Sequence, residues 1–553
     1  MTDPDPLHTA TLVRHFRQIL LWPLQLMPIR EGAQIQKHWE LLQTPDPENH
    51  WKEVADEFTG ESRSFEERRY TELVTFLPYI QRLLYGEGSG TGTGLNQESP
   101  IRVFHRRDVA KVRLTYPDQG VVPLTFEVAD VELYFFYDID VIILSVEVHA
   151  DDIPLARAQE TMYRFGRGYP TYWEPSGRGG HCLEQVEWLS SDGKVLAVSD
   201  YEKRDRYLSF AQRYRAPCIA SHWEWLLEPL VLHHSGKRGL IRYRQIEHHL
   251  MPLMAYLAVD DPCALTRGDF IRLGLASGPA TSASLPFSEH HLRDFEDRYC
   301  YDRYWEGHDR TRSGARFMCS GRVFTIVGDR GERFVIDRKT GLDQFRHEYF
   351  LLFLISHFYK AALLMLLDRL LDAMNKLDIS KPISVRQFRR VIRKTLEIFL
   401  RFTHRYWFHE VSDHVHAKEL FRMIGQHLGT DRLYAEVREA IEDMSRYHDS
   451  DLLRRQGETM VRLTVVATLG LVGVTTTGFF GMNLIAPAES SLLTKIGYFL
   501  MVLIPTVALT AYTVLKSRRL ADFLETLADE RRSSRAKLAA LVDIWKTKPG
   551  PHP

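Results

Sequence analysis

The chain has 553 residues, with 71 Lys+Arg against 72 Asp+Glu and 44% apolar side chains. That even charge excludes a surface given over to a nucleic-acid backbone, and the apolar content excludes a disordered chain. Cys182, Cys218, Cys263, Cys300 and Cys319 form no CxxC and are odd in number, so neither a disulfide framework nor a thiolate zinc cage is expected.

In chain order, a short helical N-terminus is expected first. The apolar run 19–29 contains Pro23 and is too short to span a bilayer. Residues 86–100, GEGSGTGTGLNQESP, are glycine-rich, but no Gly-Lys-Ser/Thr follows and no strand feeds them, so they read as a flexible loop rather than a phosphate cradle. Segments 111–116, 121–128, 131–138 and 141–148 are rich in Val, Ile, Leu, Phe and Tyr and punctuated by Asp and Gly, the composition of strands in one sheet. A hairpin is expected from 322–327 and 333–337, turned at 328–331. An α/β domain over 1–342 follows from these elements.

Beyond Leu342 the apolar period becomes helical, and helices are expected across 343–377, 384–427 and 431–482. Segment 349–371 is apolar enough to suggest a membrane span, but Lys360 lies at its middle and Asp368 and Arg369 near its end, so it reads as a core helix of the soluble part. Leu433, Val437, Ala440, Met444 and Tyr447 make a short heptad seam on a stalk over 343–460. Such a seam wants partners, and an oligomer is expected.

Two stretches of 20 residues, 463–482 and 496–515, carry no formal charge. At about 1.5 Å per residue each covers about 30 Å, the thickness of a bilayer's hydrocarbon core. A transmembrane hairpin over 461–516 with an outer loop at 484–495 is therefore expected. Arg454, Arg455 and Arg462 precede the first span, and Lys516, Arg518 and Arg519 follow the second, which puts both termini in the cytoplasm of an inner-membrane protein. The tail 517–553 has amphipathic helical spacing suited to the lipid surface or the stalk.

On the first span, Met460, Leu463, Ala467, Leu471, Val474, Gly478 and Gly481 recur at intervals of three or four and form one face. Thr464, Thr468 and Thr475 form a second, mildly polar face, with Thr476 and Thr477 beside it; their hydroxyls serve equally well to bond back to carbonyls one turn earlier. Neither span contains Asp or Glu. A path lined this way suits a cation that keeps its water, because bare Mg2+ demands carboxylates. The same absence suits a plain anchor.

Gly481-Met482-Asn483 closes the first span, 12 residues before the second. With the long preceding helix and the basic cluster after the second span, this arrangement resembles the CorA family of magnesium transport proteins over about 460–519. The resemblance implies a homopentamer whose first span lines a pore. Asn483 would form an outer ring holding a hydrated divalent cation, with Gly481 exposing carbonyls and Met482 packing behind. Met460 and Leu463 would form the inner hydrophobic constriction, with Ala467, Leu471, Val474, Thr477 and Gly478 along the wall. Mg2+ would be both cargo and regulator, with no organic cofactor and no enzymatic step. Glu436, Glu439, Glu442, Asp443, Asp449 and Asp451 are the stalk carboxylates offered for a regulatory ion, though a solvated face explains them as well.

The chain departs from the family pattern at Gly457 and Val474, in lacking a mid-span proline, and in an outer loop with one acid, Glu489. A transporter of Zn2+, Co2+ or Ni2+ with the same fold, open to coupling with protons, is the alternative, and a non-conducting membrane-anchored scaffold the alternative class. Among 24 histidines, His233-His234, His248-His249 and His290-His291 fit no HExxH and read as surface or interface residues. His404, His409, His414 and His416 are denser and are expected on a helix, without a metal assigned to them.

Overall fold

A computed structural model describes residues 11–28, 37–43, 49–54, 74–85, 100–117, 122–239, 241–279, 285, 287–305, 314–329, 341–378, 381–481, 491–493 and scattered positions up to 508. The chain divides into two compact units, Met1–Ile441 and Glu442–Pro553.

The first unit is built on one mixed sheet. Its strands are β1 (Leu12–Leu26), β2 (Trp51–Glu53), β3 (Ile101–Arg106), β4 (Lys111–Thr115), β5 (Leu124–Phe136), β6 (Val141–Pro154) and β7 (Gln185–Leu189). They continue with β8 (Val195–Val198), β9 (Val231–Leu232), β10 (Arg242–Gln245), β11 (Leu253–Val259), β12 (Cys300–Tyr301), β13 (Ala315–Cys319) and β14 (Val323–Asp329). The main order is β12-β13-β14-β11-β1-β6-β5-β4-β7-β8, with β10 also on β1 and β2-β3 branching from β5. Only β11–β14 and β9–β10 run parallel among the described pairs.

The first strand corrects the expected helical N-terminus. Leu12–Leu26 is the spine of the sheet, pairing with β6 along almost its whole length and with β11 and β10 on its other edge. Its apolar residues are buried in succession, so neither the strand period nor the helical one is visible in the sequence. Pro23 is tolerated because it falls between two ladders: β11 pairs up to Leu20 and β10 begins at Leu24. No bond is lost where the proline has no N–H to give.

The expected strands 121–128 and 131–138 are one strand, β5, whose pairing with β6 shifts register between Val128 and Asp130. This β-bulge bends the strand where the sequence suggested a break. The expected hairpin takes a different partner. β14 pairs with β13 before it and β11 beside it; residues 333–337 lie outside the described residues, as does nearly all of the glycine-rich 86–100.

Helix Phe350–Asn375 packs on β1 and β6, and the two helices after it pack on that helix. Phe350–Asn375 is the core helix expected from Lys360, preceded by a π-turn at Phe345–Tyr349. It belongs to the one described helical stretch, Leu342–Asn375, long and apolar enough to cross a membrane by composition, but 78% of its most apolar window is buried inside the protein. The expected helix 384–427 is two, Pro382–Arg405 and Val415–Leu428. The break comes at Tyr406, which leaves helical backbone at φ −122°. Tyr406 and Trp407 are both buried, and leaving the helix there sets their rings against Phe358 and Tyr359 of the buried helix. Tyr406 donates from Oη to the Tyr137 carbonyl at 2.8 Å, and Trp407 packs on Tyr359 at 4.8 Å.

Val415–Leu428 ends at Gly429, whose left-handed φ of +67° turns the chain into the next helix. That helix, Thr430–Gly481, is continuous for 52 residues.

Candidate functional site

The long helix is docked at its beginning. Val437 and Ile441 are buried, and Tyr434 stacks on Trp407 with ring centres 4.6 Å apart. Leu433, Ala440 and Met444 of the expected heptad seam are partly buried.

Among the described residues, the stalk carboxylates Glu436, Glu439, Glu442 and Asp443 do not gather into a cage. Glu436 accepts from Arg432 Nε at 3.2 Å, and Arg446 lies 3.9 Å from Glu442 and 3.2 Å from Asp443, all on exposed side chains. Glu439 is also exposed, and the side chains of Asp449 and Asp451 lie outside the described residues. Exposed pairs of this spacing contribute about 0.3–0.5 kcal/mol each, the ordinary support of a solvated helix.

Farther along, the environment of apolar side chains changes. Met460, Leu463 and Val474 are 73%, 64% and 70% exposed, and Ala467, Thr477, Gly478 and Gly481 are exposed too, while Val465 is buried. A Cβ added at Gly457, Gly470, Gly478 or Gly481 meets nothing within 4 Å. These residues share one helix, as the three–four spacing implies, and Leu471 shares its backbone only. Thr464 donates its hydroxyl to the Met460 carbonyl, and Thr477 to that of Gly473, both at 2.9 Å. Their protons are committed within the helix, leaving oxygen lone pairs outward. Met482, Asn483 and the tail 517–553 lie outside the described residues. Of the second span, helix is described at positions 496–497, 500–501, 504–505 and 508, where Ile496, Leu500, Met501 and Ile504 are exposed.

The first unit concentrates its buried charge where the sheet meets the π-turn. Glu147 on β6 is bound by Arg17 of β1 and by Arg346, whose Nε lies 2.6 Å away; Arg346 also reaches Asp130 at 3.2 Å. Burial opposes the Glu147 charge, but the two guanidiniums overcome it and hold its carboxyl below the usual range. Neighbouring Glu132 has no such partner and is pushed up by burial to about 7, with the Tyr134 hydroxyl donating to it at 2.5 Å. The network fixes the start of the buried helix on the sheet. None of its members stood out in the sequence, because their separations of over a hundred positions follow no local rule.

Four cysteines have thiols raised by burial, Cys218 to about 11 and Cys182, Cys300 and Cys319 to about 12, and all five are free. They are poor nucleophiles and poor metal ligands. His248 and His249 are ring neighbours at 4.0 Å, and burial depresses His249 to about 4. His404 ends a helix, whereas His409 and His414 lie in the break at Tyr406, not on the expected helix. Among the described residues, the one group of three metal-capable side chains is Glu348, His414 and His416. Sequence reasoning passed over Glu348, which adjoins an apolar run far from both histidines.

Neither a protein-family model, nor a curated protein, nor a solved structure matches the chain.

Proposed function

We propose that the chain is a subunit of a homo-oligomeric conduit for divalent cations, a pentamer of the CorA-like kind. In this reading the end of the long helix lines the pore and hydrated Mg2+ is the cargo. Asn483 holds the ion through its waters at the outer mouth, with Gly481 exposing backbone carbonyls and Met482 packing behind the ring. Met460 and Leu463 form the inner constriction, which closes by excluding water. Ala467, Leu471, Val474, Thr477 and Gly478 line the passage, and the bilayer takes up the apolar faces turned outward.

One observation carries the reading. Met460, Leu463 and Val474 are exposed together on one face of a helix whose glycines have no neighbour at the Cβ position, whereas the exposed large apolar residues of the first unit, such as Val122, Leu371 and Ile383, are scattered singly. Such a surface is costly in water and natural against lipid or further copies of itself. The order Gly481-Met482-Asn483 and the basic residues flanking both apolar stretches support the ion and the orientation.

The test is cation flux into proteoliposomes holding the full chain, with Mg2+ and Zn2+ compared and Asn483→Ala measured alongside. Mg2+ entry that falls at least tenfold in Asn483→Ala is expected. Undiminished Mg2+ entry in that variant removes the amide ring. Entry of Zn2+, Co2+ or Ni2+ without Mg2+ reassigns the cargo, and no entry of any of them leaves an anchored scaffold.

A further inference from the structure

The break at Tyr406–His414 is tied at several points. Leu77 donates its N–H to the Val411 carbonyl at 3.0 Å, the Ser412 hydroxyl donates to the Thr75 carbonyl at 2.6 Å, and Phe408 N–H donates to Tyr359 Oη at 3.0 Å. The loop therefore delivers the start of helix Val415–Leu428 to a fixed place beside the π-turn that opens the buried helix.

At that junction Glu348 Oε1 and His416 Nε2 stand 3.2 Å apart. Both atoms are buried, and neither makes a hydrogen bond among the described residues, with the other or with anything else. Glu348 as a residue is 95% buried, being 5% exposed. A carboxylate oxygen and an imidazole nitrogen in contact without hydrogen-bond geometry are a poor ion pair, and each loses hydration without a return. The separation does match two ligands of one metal. With bonds of about 2.0–2.2 Å and tetrahedral angles, neighbouring donor atoms lie about 3.3 Å apart.

His414 supplies the third donor, its ligand nitrogen within 4.8 Å of the other two. Two residues apart on a helix, the histidines would point in different directions. His414 escapes that constraint as the N-cap, with extended backbone at φ −67° and ψ 122°, and its side chain makes no capping bond. It is exposed while His416 is half-buried, so the open side of the site faces solvent and leaves a coordination position for water.

We propose that Glu348, His414 and His416 form a binding site for a first-row transition-metal dication, Zn2+ above all. Two imidazoles and one carboxylate suit Zn2+, which takes four ligands of this kind, and do not suit Mg2+, which takes oxygen. The bound ion ties the start of the buried helix to the start of the helix leading through Gly429 into the long helix. The site lies in the first unit and does not depend on conduction by the second.

Co2+ and Zn2+ titrations of the purified full chain in detergent test it. Co2+ in a four-coordinate site gives intense visible d–d bands, and Zn2+ is expected to abolish them while Mg2+ at the same concentration leaves them unchanged. Changes in the groups around a metal ligand already cost about 10–100-fold in affinity; loss of a ligand in His414→Ala is expected to weaken Co2+ binding at this site by on the order of 100-fold. His414 is exposed and makes no cap bond, so this variant keeps the fold. His416→Ala and Glu348→Gln are expected to match it, and Zn2+ is expected to raise the unfolding midpoint of the wild type only. A chain without d–d bands, or a His414→Ala chain with the wild-type spectrum, stoichiometry and affinity, overturns the site. Displacement of Co2+ by Mg2+ overturns its assignment to a transition metal.

Discussion

The buried helix Phe350–Asn375 and the distal part of the long helix Thr430–Gly481 are alike in apolar content and opposite in circumstance. The first carries charge, and three of its charged side chains reach across to other elements: Lys360 reaches Glu247 at 3.1 Å, Arg369 binds Asp140, and Asp368 binds Arg244, while Asp372 near its end pairs with Lys376 at 2.7 Å. Its aromatic residues are engaged, Phe358 lying flat on Phe136 with ring centres 3.7 Å apart. The second carries no charge from Leu463 onward, sends the hydroxyl protons of Thr464 and Thr477 back to its own backbone, and leaves Met460, Leu463 and Val474 exposed. Hydrophobicity alone does not distinguish a core helix from a membrane one. What separates these two is charge: that of the buried helix reaches across to other elements, and the distal stretch from Leu463 carries none.

The sharpest break in this comparison is truncation of one large side chain on each helix. Phe358→Ala empties a site that is 1% exposed and should cost about 3–5 kcal/mol of stability, read as a fall in the denaturation midpoint of the first unit. Leu463→Ala should cost less than about 0.5 kcal/mol by the same measure and instead change cation flux or assembly size. Equal losses of stability would erase the distinction.

A pH series sharpens the picture of the buried helix. His357 on it is wholly buried, donates from Nε2 to the Gly321 carbonyl at 3.3 Å, and is depressed to about 3, first by burial and then by Lys360 nearby. The folded chain thus binds its proton less readily than the unfolded chain, whose histidine titrates at about 6.5. Its stabilising contribution is complete above pH 6.5 and is lost as pH falls toward 3, by about 1.4 kcal/mol per pH unit. Comparing the slope of unfolding free energy between pH 4 and 6.5 in wild type and His357→Gln isolates this share. The variant should have the shallower slope, and identical slopes would place His357 in contact with water.

The smallest effect concerns the other helix. Gly478→Ala should raise the helix propensity of an isolated subunit by up to about 1 kcal/mol, since nothing lies within 4 Å of the added methyl. If Gly478 lines the contact between copies, the same methyl should weaken assembly, visible as a shift to smaller species by native mass spectrometry. Unchanged assembly would take Gly478 out of any close interface.

The sequence was most legible where one periodicity ruled alone. The region of β4 to β6 declared itself through β-branched residues, and the long helix through its uninterrupted period, read as 431–482 and found as Thr430–Gly481. Legibility failed where burial on two faces removed the period, as in β1, and where tertiary demand overrode it, as at Tyr406. The face from Met460 to Gly481 could be drawn from spacing, since neighbours on a helix are neighbours in sequence at three and four. Glu348 with His414 and His416 could not, because that group is assembled by a loop pinned to residues 75–77, and no pattern in the chain encodes such pinning.

The position of β1 also bears on how the protein is made. The strand is synthesised well before its edge partner β11, which ends at Val259. At about 5–20 residues per second, a ribosome takes on the order of 10–50 s to deliver that partner. For that interval the apolar stretch from Ile19 to Leu26 is a nascent segment without its complete lattice, so the yield of native chain should depend on holdase chaperones and on the rate of translation between β1 and β11.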